Sequence, residues 1–377
     1  MDGLRCIAIA GVFAFHSRII SDGFFGLRGA LGVMLFFIIS GFLITTLILR
    51  ERDQYGFISL RNFYARRSLR IFPLYYGVLT VTICYVVLFE RHKPAAHEFF
   101  RNIPSFFSYT ANWFVDVTQD RRVIFGVAWS LSTEEQFSLF WPSIVSFSRR
   151  HRWFPVALVS ALGILNIVLV HLLSTGAITL NAPWHNIALT VPVGICFGCL
   201  LAYALNDRRM FTRLYPLLSP RWMAVFAIAG MIGLSYIPTV PNLPIYCFMV
   251  LGLATTIVQP NHYLAPLLQA RPVKYIGAVS YGIYLMHVLI LNVGRRILHI
   301  ESPVLLALFA LPVVTMIAGL SYRYFESPFL RYKDRFAKGP RTAEPVMEAP
   351  TLLEQMSARI RSDVLTADDD EAAALQG

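Results

Sequence analysis

The stretch GALGVMLFFIISGFLITTLIL, Gly29–Leu49, runs for twenty-one residues without one ionisable side chain. A helix needs ~20 such residues to cross the hydrocarbon core of a bilayer. Charge-free runs of similar length recur at Ile71–Phe89, Trp153–Val170, Ile187–Leu205 and Pro303–Tyr322. Over all 377 residues, 56% are hydrophobic and only 15% are charged, where a soluble domain carries ~25% charged residues. The pattern predicts an all-α, polytopic transmembrane helical bundle. About ten spans are expected, at 4–20, 29–49, 71–89, 124–148, 153–173, 187–205, 222–239, 243–259, 275–294 and 303–322. Those at 4–20 and 124–148 contain charged residues.

With ten spans, most basic clusters fall on one side: Arg50 to Arg70, Arg149 to Arg152, Arg208 to Arg213, Arg271 with Lys274, and Arg331 to Arg335. The positive-inside rule makes that side cytoplasmic, with both termini on it, in a multi-pass protein of the cytoplasmic (inner) membrane. Arg91 to Lys93, Arg121-Arg122 and Arg295-Arg296 run against the bias. The net charge is +11; from residue 337 on, four basic and eight acidic residues leave that tail at −4 and the remainder at +15. In loops between spans this excess sets topology, so no nucleic-acid partner is expected. The membrane domain is expected over 1–335. An acidic, Ala- and Pro-rich, disordered cytoplasmic tail follows over 336–377; within it Leu353, Met356, Ile360 and Val364 keep the spacing of a short interfacial helix.

Several tempting motifs have plain readings. The opening segment lacks a small-residue cleavage site and is not a removable signal peptide. The five cysteines are scattered, so no disulfide framework is expected. Cys196-Phe-Gly-Cys199 lies in an apolar span without other metal ligands, and no metal site is expected. Gly194 and Gly198 overlap it at the spacing of close helix packing. Gly23, Gly26, Gly29 and Gly32 lack the lysine of a phosphate-binding loop.

Chemistry enters with the ionisable residues of the apolar segments. Arg5 and His16 are eleven residues apart, which puts them on one helix face and ~16 Å apart along the axis. Arg5 suits a snorkelling helix end or a protein-lined cavity. His16 suits a packing histidine or a base. Arg67 and Arg70, three residues apart, share a face. They serve topology, or they grip phosphate, for which the guanidinium fork is suited. In WSLSTEEQFSLFWP, Glu134 and Glu135 favour a helix N-terminus; a carboxylate at the depth of His16 also orients an imidazole as a general base. In SYGIYLMH, Tyr281, Tyr284 and His287 occupy one late span.

Taken together these segments resemble the acyltransferase-3 family of integral-membrane O-acyltransferases, whose members acylate O-antigen, exopolysaccharide, Nod factors, peptidoglycan and macrolides. The resemblance covers residues 2–335. It rests on DGLRCIA with the Arg5 to His16 spacing, on LGVMLFFIISGFLIT, on Arg67-Ser-Leu-Arg70, on WSLSTEEQFSLFWP and on SYGIYLMH, in the family's order. Cys6, Met34 and Ser138 depart from it. Met34 stands where a polar residue is common and bears on acceptor specificity.

The resemblance implies an acyl-CoA-dependent enzyme with no bound cofactor. Acyl-CoA, acetyl-CoA in particular, would be the donor on the cytoplasmic side. A hydroxyl of a carbohydrate or lipid-linked glycan in the membrane would be the acceptor. Arg5, Arg67 and Arg70 would bind the donor phosphates, and Tyr281 and His287 would contact substrate. His16 would be the base, oriented by Glu135 or Glu134. With no large extracytoplasmic domain after the last span, the membrane domain is expected to complete the transfer or hand over to a separate protein. The alternatives are a glycolipid transporter or flippase, which leaves no covalent product, and a structural membrane protein.

Overall fold

The structure is a computed structural model that describes residues 1–19, 28, 31–115, 123–148, 151–181 and 183–336. The glycines at 23, 26 and 29, Arg121-Arg122, Arg149-Arg150 and the tail from 337, with its expected interfacial helix, lie outside these residues. Among the described residues every regular element is helical. The principal helices are α1 (Asp2–Ser17), α2 (Leu31–Tyr55), α3 (Leu60–Tyr85), α4 (Pro94–Phe107), α5 (Ala128–Phe147), α6 (Phe154–Ser174) and α7 (Val193–Asn206). They continue with α8 (Arg208–Leu218), α9 (Met223–Ser235), α10 (Asn242–Val258), α11 (Arg271–Ala278), α12 (Ser280–Arg296) and α13 (Pro303–Leu320).

The expectation of ten spans is corrected. Among the described residues, five helices are long and apolar enough to cross a membrane: Leu31–Tyr55, Leu60–Glu90, Phe154–Ser174, Trp184–Asn206 and Pro303–Lys333. The number rises to seven if two bent pairs each count as one span: α8 with α9, bent by 78°, and α11 with α12, bent by 74°. The other expected spans fail for physical reasons. The helix at 4–20 has 16 residues, and that at 243–259 has 17. The segment at 222–239 holds a helix of only 13 residues. The segment at 275–294 is broken at Val279. Helix α5 carries Glu134 and Glu135 together with Ser130, Ser132 and Thr133. Placing both termini on one side rested on an even number of crossings, and that placement falls with the count.

The short first helix is accommodated because protein packs against it. Helix α1 packs against α2, α11, α12 and α13, and Ala8, Ile9 and Val12 are fully buried there. The outward-facing helices show the reverse pattern. In α6 the apolar window is only 11% buried inside the protein, and Ile164 and Leu165 are exposed, as a lipid-facing surface requires.

Helix α2 is the central strut. It meets α7 so closely that a methyl group on Gly41 would collide with the Ile195 carbonyl, and one on Gly198 with the Ile38 carbonyl. Small residues at such crossings let helix backbones approach in a membrane. Met34 lies over Gly194 in the same contact, so this side chain is used in packing.

Gly198→Ala is expected to lower stability by about 1–3 kcal/mol through overpacking. Gly233→Ala, in open space, is expected to gain up to about 1 kcal/mol in helix propensity. Thermal denaturation in detergent checks this, and a Gly198→Ala variant as stable as the parent would refute the close crossing.

Candidate active site

A cavity of about 270 Å³ opens among α1, α2, α3, α5 and the α11–α12 bend. Arg5, Arg67, Arg70, Glu134, Glu135 and Tyr281 all line it. Each comes from a different local circumstance. Arg5 projects from the first turns of α1, where Asp2 pairs with it at 3.1 Å. Arg67 and Arg70 lie one helical turn apart on α3. Tyr281 follows the 74° bend, and its hydroxyl donates to the Ile71 carbonyl at 2.9 Å.

The cavity wall is organised by Arg67. Its Nη2 reaches Glu135 Oε1 at 2.7 Å and Glu134 Oε1 at 2.9 Å, and its Nε reaches Glu135 Oε1 at 3.1 Å. Ser40 of α2 donates to the same Glu134 oxygen at 2.9 Å. Two carboxylates thus share one guanidinium, while Arg70 makes no hydrogen bond or ion pair with the described residues. The positive charge open to an incoming anion is therefore that of Arg70, with Arg5 beside it.

At the other end of the cavity, the Ser130 and Tyr284 hydroxyls meet at 2.5 Å. The Tyr284 ring packs on His287, with centroids 5.7 Å apart. His287 is fully buried, and its Nδ1 lies 2.6 Å from the Tyr284 carbonyl and 3.2 Å from that of Ile283. Carbonyl oxygens only accept, so in the neutral ring Nδ1 carries the hydrogen and Nε2 is left as an acceptor. That Nε2 faces His16 Nδ1 at 3.3 Å. His16 Nδ1 is also 2.9 Å from the Val12 carbonyl. It too must be the protonated nitrogen, which leaves His16 Nε2 with a free lone pair. Arg295 Nη2 holds the His16 carbonyl at 2.8 Å.

The structure thus gathers the expected residues into two groups. The three arginines, both glutamates and Tyr281 share one cavity. His16 and His287 form a separate pair behind Tyr284. Glu134 and Glu135 do not meet His16. Helix α5 begins at Ala128, so Glu134 lies six residues, ~9 Å, along it, level with Arg67. Ser40, Ser130 and Arg295 join the site without a signal in the sequence. Isolated serines in helices are too common to flag, and Arg295 read only as a loop charge.

Fold and site together define a multi-pass membrane protein with a charged cavity beside a buried histidine pair. A profile of the acyltransferase-3 family, described as an acyltransferase domain, matches residues 1–323, and the chain belongs to that family. It is 29% identical over 356 residues to the peptidoglycan O-acetyltransferase OatA of Listeria monocytogenes, covering 87% of this chain and 55% of the relative. It is 27% identical to the putative peptidoglycan O-acetyltransferase YrhL of Bacillus subtilis, over 87% of this chain and 54% of the relative. It is 27% identical to the O-acetyltransferase OatA of Staphylococcus aureus, over 87% of this chain and 56% of the relative. The chain spans about half the length of these curated relatives. No solved structure matches it.

Removing Arg67 leaves two carboxylates uncompensated inside the bundle. Arg67→Gln is expected to cost about 3–5 kcal/mol, as for a broken buried pair, and Arg70→Gln far less. Melting curves of the two purified variants separate these roles; equal destabilisation would contradict them.

Proposed function

We propose that this chain is an O-acyltransferase that moves an acyl group, acetyl in particular, from acyl-CoA to a hydroxyl of a sugar or glycolipid acceptor. Family membership supports the reaction class, and the names of the relatives support acetyl transfer to a glycan. The observation that carries the reading is the arrangement of charge. A cavity with one compensated arginine and one open arginine ends at a tyrosine, behind which a histidine is held with Nε2 unprotonated.

In this reading the donor enters at the Arg5 and Arg70 end of the cavity. Arg70 and Arg5 take its phosphates, while Arg67 holds Glu134 and Glu135 in place. Tyr281 lines the path. The thioester end reaches the Ser130 and Tyr284 hydroxyls, and parting of that pair joins the cavity to the histidines. His16 Nε2 removes the acceptor hydroxyl proton as that oxygen attacks the thioester carbon. The carbon–oxygen bond forms, the carbon–sulfur bond breaks, and the departing thiolate takes the proton back from His16. His287 is a positioning residue: its Nε2 accepts from His16 Nδ1 and so fixes the tautomer that exposes Nε2.

Mass spectrometry of cell-surface glycans in parent, deletion and complemented strains tests the reaction. An acyl mass is expected to vanish on deletion and to stay absent with His16→Ala at equal membrane level. Relocation of an unmodified glycan would instead establish transport. In purified protein His16→Ala is expected to lower turnover by ~10²–10⁴-fold with acyl-CoA affinity unchanged. Arg70→Gln should weaken acyl-CoA binding by about tenfold, the worth of one charge-assisted contact.

For His287→Phe, loss of one hydrogen bond predicts a fall in kcat of up to about tenfold, together with a displaced pH–rate profile. A histidine that only packs would change the melting temperature and leave that profile where it is.

A further inference from the structure

Helix α8 takes no part in the cavity, and hydrogen bonds fix its place at both ends. At its start Asp207 caps it, accepting from the Met210 amide at 2.9 Å. The residue before that cap, Asn206, donates to Asp53 near the end of α2 at 3.1 Å. At its finish the side chain of Gln259, the residue that follows α10, donates to the Ser219 carbonyl at 2.8 Å. The membrane-length helices Leu31–Tyr55 and Trp184–Asn206 both stop at the first of these ties, and the apolar helix α10 stops at the second. Helix α8 therefore runs along the level at which apolar helices end, the boundary between hydrocarbon and headgroups. The 78° bend that separates it from α9 agrees. Helix α9 has no ionisable side chain, and a helix turned that far from one lying in the hydrocarbon runs close to the membrane plane.

The circumference of α8 divides into three strips. Phe211 and Leu218 are buried in the core beside α7 and α10. Next around the helix come Met210 and Leu217, seven residues and so only ~20° apart, and both are exposed. Arg213 lies ~40–60° beyond that apolar strip and Arg209 ~40° further. Both arginines are exposed, and neither side chain makes a hydrogen bond or ion pair with the described residues. A water-facing surface has no use for the apolar strip, and a hydrocarbon-facing one does not tolerate the basic strip. A helix lying in the interface needs the two side by side: the apolar strip enters the acyl boundary and the guanidiniums stay among the headgroups. Trp222, exposed at the corner between α8 and α9, is the residue type that sits at that level.

We propose that α8 is a docking surface for anionic phospholipid, with Met210 and Leu217 set into the acyl boundary and Arg209 and Arg213 binding lipid phosphate and headgroup charge. Charge complementarity selects this occupant: two unpaired guanidiniums at headgroup level favour a lipid with net negative charge over a zwitterionic one, by about fivefold for each arginine near the surface. The face is held ready for it, because the ties at Asp207, Asn206 and Ser219 orient α8 through protein contacts alone. The surface is separate from the acyltransfer site and does not depend on the reaction assigned to it.

The test uses the full chain in nanodiscs of equimolar phosphatidylcholine and phosphatidylglycerol, with a photocrosslinking benzoylphenylalanine in place of Leu217 and, in a parallel sample, of Met210. Mass spectrometry identifies the lipid joined to the α8 peptide. Phosphatidylglycerol adducts are expected to exceed phosphatidylcholine adducts by about fivefold or more. The double variant Arg209→Gln, Arg213→Gln should bring the ratio close to one, while Arg61→Gln should leave it at the parental value. Both altered side chains are exposed, so the melting temperature of the double variant in phosphatidylcholine alone should match the parent, which separates lost recognition from lost fold. No lipid adduct at either probe position would place α8 in water and overturn the proposal. Equal adducts of the two lipids in the parent would overturn the preference for anionic lipid. An excess of phosphatidylglycerol that survives in the double variant would assign it to the protein's overall basic charge and overturn the role of Arg209 and Arg213.

Discussion

A guanidinium held between two carboxylates inside an apolar bundle constrains everything around it. Charges in such surroundings must be paired, because an uncompensated one costs several kcal/mol even after relaxation. Arg67 comes from α3, Glu134 and Glu135 from α5, and Ser40 from α2, so one cluster fixes the relative positions of three helices. It also divides the labour of the arginines. With Arg67 committed to the carboxylates, Arg70 is left as the charge an anionic ligand meets, although the two are only one turn apart on the same helix.

The sequence makes the strongly apolar spans legible, and five of the expected ten stand as helices long enough to cross a membrane. Two of the others mislead for a shared reason. Hydropathy measures the solvent a segment prefers, and a helix packed against protein can be short or carry charge. Helix α1 has protein on most of its sides, and α5 sets its carboxylates against Arg67. The bend at Val279 is equally hidden, since nothing in Gly277 to Ser280 forbids a continuous helix. It arises from a tertiary contact: Gly277 lies directly against the Asp2 backbone, and the turn that follows carries Tyr281 and Tyr284 to the cavity.

The site residues are legible by type and spacing, and their partnerships are not. Arg5, Arg67, Arg70, Glu134, Glu135 and Tyr281 each bring an ionisable or polar group into an apolar setting, and they converge on one cavity. The pairing of His16 is harder to read, because the partner that claims both glutamates, Arg67, lies on another helix 67 and 68 positions away. His287 occupies the place beside His16 instead. No sequence spacing joins residues 271 positions apart, and only their packing reveals that two backbone carbonyls dictate the tautomers of both rings.

That dictated order of protons gives the histidine pair a direction. Carbonyls of Ile283 and Tyr284 set His287, His287 and Val12 set His16, and the one nitrogen left with a lone pair is His16 Nε2. Along the same helix, Arg5 stands at the opposite end, ~16 Å away. In the proposed reaction a donor gripped at Arg5 and Arg70 must therefore extend its acyl group through the length of the cavity, past Tyr284, to reach the base. The acceptor in that reaction approaches from the other end, where Arg295 holds the His16 carbonyl. A long, thin donor arm and an acceptor that never leaves its own side meet those demands together, so that only the acyl group has to cross the bundle. Helix α1 is the ruler for that crossing, and its shortness, which disqualifies it as a span, suits it to the task.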